Sequence, residues 1–181
     1  MLAFLYDHLD LVLALLLLVS RLGDLISTYL VTPTLRLEAN PIVRRLGWRF
    51  AIVSNLAICA LPYISREMAV MALMPFLLVC ASNSSHIWMA RTLGEEEYKA
   101  LALRVARRSR LSHAVAGTCA SGGFFVLTGL VVLLFNPDPS MDWGFWMGAG
   151  IVFYGLVVIV YRSLYLRRLF AEAGRGSVAA A

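Results

Sequence analysis

Two ionic residues, Arg21 and Asp24, lie three positions apart in a segment that is otherwise almost wholly apolar. Residues at this spacing share one face of a helix, so the guanidinium and the carboxylate can pair. An isolated charge at the centre of a bilayer costs about 2.5–3.5 kcal/mol on insertion scales, and pairing lowers that cost. Such a pair could bind a polar ligand, transfer protons as a general acid or base, or hold helices together.

Three hydroxyl residues join this pair on the same side of the first helix. At 100° per residue, Ser20, Ser27 and Thr28 fall with Arg21 and Asp24 within an arc of about 120°. The preceding stretch, LVLALLLLV, has no polar side chain. A polar stripe confined to half of a helix predicts contact with protein or with a cavity rather than with lipid.

Polar residues from other segments are expected at the same depth. The predicted binding cluster contains Arg21, Asp24, Thr28, Glu38, Asn40, Asn55, Asn83, His86 and His113. We expect a cavity open to the cytoplasm, and the alternative is a set of interhelical hydrogen bonds. The two histidines with Asp24 and Glu38 could form a metal site, but they have no local ligand spacing. No metal, cofactor or catalytic residue is therefore predicted.

Five apolar segments must position these residues. They cover residues 9–31, 48–64, 68–90, 112–135 and 143–161, and about 20 helical residues cross the hydrocarbon of a bilayer. Of the 181 residues, 60% are hydrophobic and 15% are charged, whereas a soluble domain is about half apolar and a quarter charged. The sequence predicts an all-α, polytopic membrane bundle that forms one transmembrane domain over residues 1–181.

The basic residues are distributed very unevenly along this pattern. Fourteen of the sixteen lie in three stretches: residues 36–49, residues 91–110 and residues 162–175. The other two are Arg21, within the first span, and Arg66, between the second and third spans. Basic loops stay in the cytoplasm, so a bacterial inner-membrane protein with its N-terminus outside and its C-terminus inside is predicted. The net charge of +5 indicates anionic lipid headgroups as partners, and no nucleic acid.

Two loops are predicted to contain helices. Asn40 and Pro41 read as a cap and a first helical residue, opening a short helix that ends near Gly47. Thr92 and Glu95 have the spacing of a capping box. The helix that they open carries apolar residues at helical spacing and a basic end, which is typical of a short amphipathic helix on the inner membrane surface. Its apolar and basic residues are Tyr98, Leu101, Val105, Arg104, Arg107 and Arg108.

Small residues are concentrated in the fourth and fifth spans. Small faces let membrane helices approach closely, and we expect a protein partner to dock through these two spans. The residues concerned are Gly117, Ser121, Gly122 and Gly123 in the fourth span, and Gly144 and Gly148 in the fifth.

The spacing Asp24-x3-Thr28, followed by Glu38-Ala39-Asn40-Pro41, resembles a pattern in a family of uncharacterised small prokaryotic multi-pass membrane proteins. In that family an Asp-x3-Thr stripe closes helix one and an E-x-N-P turn precedes helix two. The match runs over residues 24–41, and Asn55 stands where the family often has a lysine. The resemblance implies a small multi-pass fold and supplies no activity.

Three functions agree with these patterns. The first is an accessory or assembly subunit of a larger membrane complex. The second is a binding or permeation protein with a cytoplasm-facing polar site within the membrane. The third is a small lipid-modifying enzyme in which Asp24 or His86 is the general acid or base. The sequence contains no nucleophile or phosphate-binding motif that would favour the enzyme.

Overall fold

The computed structural model describes residues 8–38, 40–139 and 143–178. Over these residues it contains helices and no strand, which confirms the predicted all-α class. The helices are α1 (Leu9–Val31), α2 (Pro41–Ile58), α3 (Arg66–Arg108), α4 (Leu111–Phe135) and α5 (Trp143–Val178). A 3-10 helix, Leu61–Tyr63, follows α2, so the predicted second span is α-helical only as far as Ile58.

Four segments of the described chain are long and apolar enough to cross a membrane. They are Pro41–Tyr63, Arg66–Arg108, Leu111–Phe135 and Trp143–Arg175, and they suit a multi-pass membrane protein. Helix α1, which carries Asp10, Arg21 and Asp24, is not among them. The five predicted segments are thus all helical, while length and hydropathy support membrane crossing for four.

The main contacts between helices follow the spatial order α2–α1–α3–α5–α4. Helix α3 therefore lies in the middle of a row, with α1 on one side and α5 on the other. Leu13 and Leu17 of α1 pack against Ala69, Val70 and Leu73 of α3 to form the main apolar core. This arrangement gives α3 two separate faces, one covered by α1 and the other by α5.

Glycines bring α4 and α5 into direct backbone contact. A Cβ atom built on Gly122 would lie 2.7 Å from the carbonyl oxygen of Gly155, and one on Gly129 would lie 2.7 Å from that of Gly148. Two of the predicted small residues, Gly122 and Gly148, are thus used within the chain. Gly117, by contrast, would meet nothing within 4 Å.

Both predicted helix breaks occur at glycines with left-handed backbone conformations. Gly47 has φ 78° and divides α2, and Gly94 has φ 75° and divides α3. The predicted Asn40 cap is confirmed, because its side chain accepts a hydrogen bond from the amide of Ile42 at 3.0 Å. The predicted capping box does not form, because the Thr92 hydroxyl donates to the carbonyl of Trp88 in the preceding turn.

The helix predicted on the membrane surface is present as the part of α3 beyond Gly94, residues 95–108, here called the surface helix. It packs on α5, which continues well beyond the predicted end of the fifth span, residue 161. Ala106 contacts Leu169 and Ala173, and Lys99 pairs with Glu172 at 2.6 Å. The segment predicted as a basic tail is therefore helical through residue 178. Loop 32–40, the surface helix and α5 from residue 162 together form the basic end of the molecule.

Candidate functional site

Arg21 is the most deeply buried ionic side chain in the described part of the chain, with 6% of the residue exposed. Its Nη1 lies 3.2 Å from a carboxylate oxygen of Asp24, as the spacing on α1 predicts. The same nitrogen donates to Oδ1 of Asn55 on α2 at 2.9 Å. The Asn55 amide nitrogen donates to the Ala51 carbonyl, which fixes the orientation of this side chain.

Helix α3 completes this group through Asn83. The Asn83 amide donates to the second carboxylate oxygen of Asp24 at 3.0 Å and to the Thr28 hydroxyl at 3.4 Å. Both oxygens of Asp24 are therefore engaged by different partners. Arg21, Asp24, Thr28, Asn55 and Asn83 join three helices, and we call them the Arg21 cluster.

The two serines of the predicted stripe lie beside the cluster without joining it. Ser20 and Ser27 are each 2% exposed. Their hydroxyls donate to carbonyl groups of α1 itself, those of Leu17 and Asp24. The stripe thus faces protein. Its serine hydroxyls form hydrogen bonds within α1, as is common for hydroxyls in helices.

One edge of the Arg21 guanidinium has no partner among the described residues. Nε and Nη2 are both covered from solvent and neither makes a hydrogen bond, while the ring of Phe76 lies 3.5 Å from Cζ. Each buried donor without an acceptor costs about 1–3 kcal/mol. These two N–H groups form the planar fork that binds two oxygens of one carboxylate or phosphate. The cluster can therefore accept an oxyanion.

Four of the predicted site residues lie elsewhere. Glu38 accepts a hydrogen bond from the Asn40 amide at 2.7 Å, and its carbonyl accepts one from Arg168 of α5 at 3.4 Å. His113 is exposed at the start of α4, and His86 lines a separate cavity between α3, α4 and α5. Of the nine residues expected in one cavity, five thus form the Arg21 cluster, His86 lines a separate open cavity, and Glu38, Asn40 and His113 lie elsewhere.

Glu95, at the start of the surface helix, organises the loop after α1. It accepts four hydrogen bonds: from the Thr32 hydroxyl, the Thr34 amide and hydroxyl, and the Arg36 amide. Burial opposes ionisation, but these bonds outweigh it and lower the pKa of the Glu95 carboxyl. Sequence reasoning assigned Glu95 to the capping box and missed this contact. Thr32 and Thr34, on either side of Pro33, could have indicated this contact, because their hydrogen-bond donors need an acceptor.

Neither a search for metal-binding groups nor comparison with known proteins identifies a function for the chain. No group of three or more metal-binding side chains occurs among the described residues. No protein-family model, curated protein or solved structure matches the chain. The resemblance carried by Asp24, Thr28 and the Glu38–Pro41 turn therefore stays a prediction.

Proposed function

We propose that the chain is a membrane-embedded binding protein that takes a small carboxylate-bearing ligand at the free edge of Arg21. The observation that carries this proposal is the pair of buried, unpartnered donors on a guanidinium whose third nitrogen is already held by Asp24 and Asn55. Because Nη1 is fixed from α1 and α2, the fork is preorganised and loses little conformational freedom on binding.

Helix α2 is the element that would move to admit the ligand. It packs mainly on α1, and few of its residues are buried. Gly47 supplies a left-handed hinge at the start of its apolar part. Outward movement of α2 would break the bond from Nη1 to Asn55 and expose the Arg21 edge. Asp24 and Asn83 would stay in place on α1 and α3, so Asp24 would still hold Nη1 in the open state.

The proposed topology has five spans, with α1 included. Helix α1 is 23 residues long, which corresponds to about 35 Å at 1.5 Å per residue and is enough to cross the hydrocarbon. Its two inner charges pair with each other and with neighbouring helices, which lowers the cost of crossing. The segments of the basic end contact one another through Glu95 and Arg168. We place that end in the cytoplasm of a bacterial cell and the N-terminus outside. Reporters at Pro139 and after Ala181 should report opposite sides, and a shared side would contradict this topology.

The binding proposal is tested with Arg21→Lys, which keeps the charge and loses the fork. Sodium acetate, butyrate and octanoate should raise the thermal unfolding midpoint of the purified protein in mild detergent, relative to sodium chloride at equal ionic strength. A ligand at a hundredfold excess over its Kd stabilises by about 2.7 kcal/mol. Arg21→Lys should lose this response, and Arg167→Lys, which changes an exposed arginine of α5, should keep it. No response in wild type, or the same response in Arg21→Lys, would overturn the proposal.

The accessory-subunit function is a second candidate, favoured by the outer surface of α4. This helix packs mainly on α5, and its exposed small residues Ala116, Gly117 and Ala120 would allow close approach of another helix. A stoichiometric partner that co-purifies with wild type, and is lost with Gly117→Leu, would support it. Asp24 is not proposed as the general acid or base of an enzyme, because both of its oxygens are already engaged.

A further inference from the structure

A cleft between α3 and α4 contains a cavity of about 340 Å³, and α5 forms the floor of this cleft. Helices α3 and α4 both pack extensively on α5 and not extensively on each other, which leaves the cleft open along one side. The side chains at its mouth are exposed and those on its floor, from α5, include the buried Tyr154 and Val158. The polar residues that line the cavity are Ser82, Ser85, His86, Ser121, Tyr154 and Arg162.

The hydroxyl groups of this lining are mostly used within the chain. The Ser85 hydroxyl donates to the Ser82 carbonyl at 2.7 Å, and the Tyr154 hydroxyl donates to the Leu78 carbonyl at 3.4 Å. Arg162 donates from Nη2 to the Ser82 hydroxyl at 2.8 Å. A guanidinium carries five N–H groups, and Arg162 pairs with no carboxylate in the described part of the chain. A carboxylate is therefore the group that this lining lacks.

In the proposed topology, the Arg162 guanidinium is directed into the membrane. Arg162 directly follows the predicted fifth span, whereas its partner Ser82 lies eight residues before the end of the third span, which is about 12 Å along α3. Basic side chains near helix ends usually extend to the interface instead. A positive charge held at this depth is costly unless an opposite charge joins it. A carboxylate on another spanning helix suits this depth better than a lipid headgroup, which lies at the interface.

This chain does not supply the missing carboxylate. Within the five predicted spans the only acids are Asp10 and Asp24. Asp10 lies at the outer end of α1 and pairs with Arg66, and both oxygens of Asp24 are engaged in the Arg21 cluster. A second copy of the chain would bring the same two acids, so the counter-charge has to come from a different protein.

We propose that this cleft binds a transmembrane helix of a partner protein, with an Asp or Glu side chain of that helix entering the cavity and pairing with Arg162. Small residues on both walls allow a helix to approach closely. On α3 they are Ala81 and Ser85, four residues apart and exposed. On α4 they are Gly117 and Ser121, with the same spacing and exposure. The inference rests on the accessory-subunit function and deepens it by giving the chemistry of the partner.

The test measures how tightly the full-length protein associates with two synthetic peptides, using energy transfer in phosphatidylcholine bilayers at neutral pH. Each peptide is a leucine–alanine helix of about 23 residues with one Glu, or in the control one Gln, about 12 Å from one end. Wild type should bind the Glu peptide at least about tenfold more tightly than the Gln peptide. Arg162→Gln should abolish this preference, and Arg162→Lys should retain part of it. Arg167→Gln, an equal loss of charge at an exposed position of α5, should keep the preference within about twofold.

A larger side chain on the wall of the cleft tests the approach of the helix itself. Gly117→Leu should weaken the binding of both peptides, because leucine would hold the partner helix away from α4. Gly123→Leu is the matched control, since a Cβ at either position would meet nothing within 4 Å and Gly123 lies on the side of α4 opposite Ser121. Equal effects of the two leucines would overturn the proposed position of the helix.

Equal binding of the Glu and Gln peptides by wild type would overturn the proposal, as would an unchanged preference in Arg162→Gln. If there is no peptide preference and phosphatidylglycerol stabilises wild type but not Arg162→Gln, the proposal is also wrong, because a lipid headgroup then occupies the cleft. A natural partner that co-purifies but has no acid in its spanning helices would overturn this inference and leave the accessory-subunit function standing.

Discussion

The two faces of α3 carry polar residues in opposite states. On the side of α1 and α2, Arg21 is buried, and both oxygens of Asp24 are occupied by side chains of the protein. On the side of α4 and α5, Arg162 is exposed, and no carboxylate lines the cavity that it shares with His86. One face therefore holds a neutralised pair, and the other holds unneutralised positive charge.

Packing explains this difference. Helices α4 and α5 meet through glycine backbones, so their interface needs no polar side chains and those near the basic end remain available. Helices α1 and α2 lack such glycine contacts, apart from the approach of Gly23 to Cys80 of α3. Polar side chains instead link α1 to α2 and α3. The charged residues between α1, α2 and α3 thus chiefly stabilise the fold, whereas Arg162, between α3 and α5, is chiefly accessible to a ligand.

The largest expected effect comes from breaking the buried pair. Asp24→Asn leaves Arg21 without its counter-ion and should lower the free energy of unfolding by about 3–5 kcal/mol. Adding Arg21→Leu should restore most of that loss, because an apolar replacement of both ions can be neutral. Asp10→Asn is the matched control on the same helix, since Asp10 forms an exposed pair with Arg66 and should cost at most about 1 kcal/mol.

Denaturant titration in mixed micelles measures these differences in stability. Equal losses for Asp24→Asn and Asp10→Asn would show that the buried pair contributes no more than a surface pair. The stable double variant also informs the binding proposal. It should fold and no longer respond to carboxylates, and a retained response would remove Arg21 from the site.

A smaller effect is expected at the glycine interface. A Cβ on Gly155 would lie 2.6 Å from the carbonyl oxygen of Gly122, so Gly155→Ala should separate α4 from α5 at a cost of about 1–3 kcal/mol. Gly123→Ala is the control on α4, because its Cβ would meet nothing within 4 Å and alanine favours the helix. Thermal unfolding of both variants should show opposite signs, and two stabilised variants would contradict close glycine packing.

The smallest expected effect concerns Glu95 and depends on pH. Its folded-state pKa is lowered, so its contribution is present above the unfolded value, about 4.3, and is lost as the pH falls through the folded value. At pH 7, Glu95→Gln should cost on the order of 1 kcal/mol because charged hydrogen bonds to loop 32–40 are weakened. Stability measured at pH 7 and at decreasing acid pH should show the two proteins converging. A constant difference would contradict this assignment.

Local features of the fold could be predicted from the sequence. The Arg21–Asp24 pair, the Asn40 cap and the break at Gly47 each depend on residues a few positions apart, and each occurs in the structure. Longer-range features could not be predicted. The capping box failed because Glu95 is engaged by residues about sixty positions earlier, and tertiary contacts of this kind override local preferences.

The residues that form the Arg21 cluster could also be predicted only in part from the sequence. Depth along each helix predicted that Asn55 and Asn83 lie near the Arg21–Asp24 pair, and the structure has Asn55 bonded to Arg21 and Asn83 bonded to Asp24. Depth did not determine the direction in which a side chain points around α3. Asn83 contacts Asp24 of α1, whereas His86 lines the cavity that α3 forms with α4 and α5. The helical continuation of α5 also went unpredicted, because its basic residues were assigned to a tail.

The sequence separations within the Arg21 cluster set an order for its assembly during synthesis. Arg21 and Asp24 are on the same helix and can pair as soon as α1 forms. Asn55 follows Arg21 by 34 residues and Asn83 follows Asp24 by 59. At a translation rate of about 5–20 residues per second, α1 waits roughly 2–7 s for its first partner and roughly 3–12 s for its second. In the proposed five-span topology, the internal pair would thus lower the cost of inserting a charged first helix before its partner helices are made.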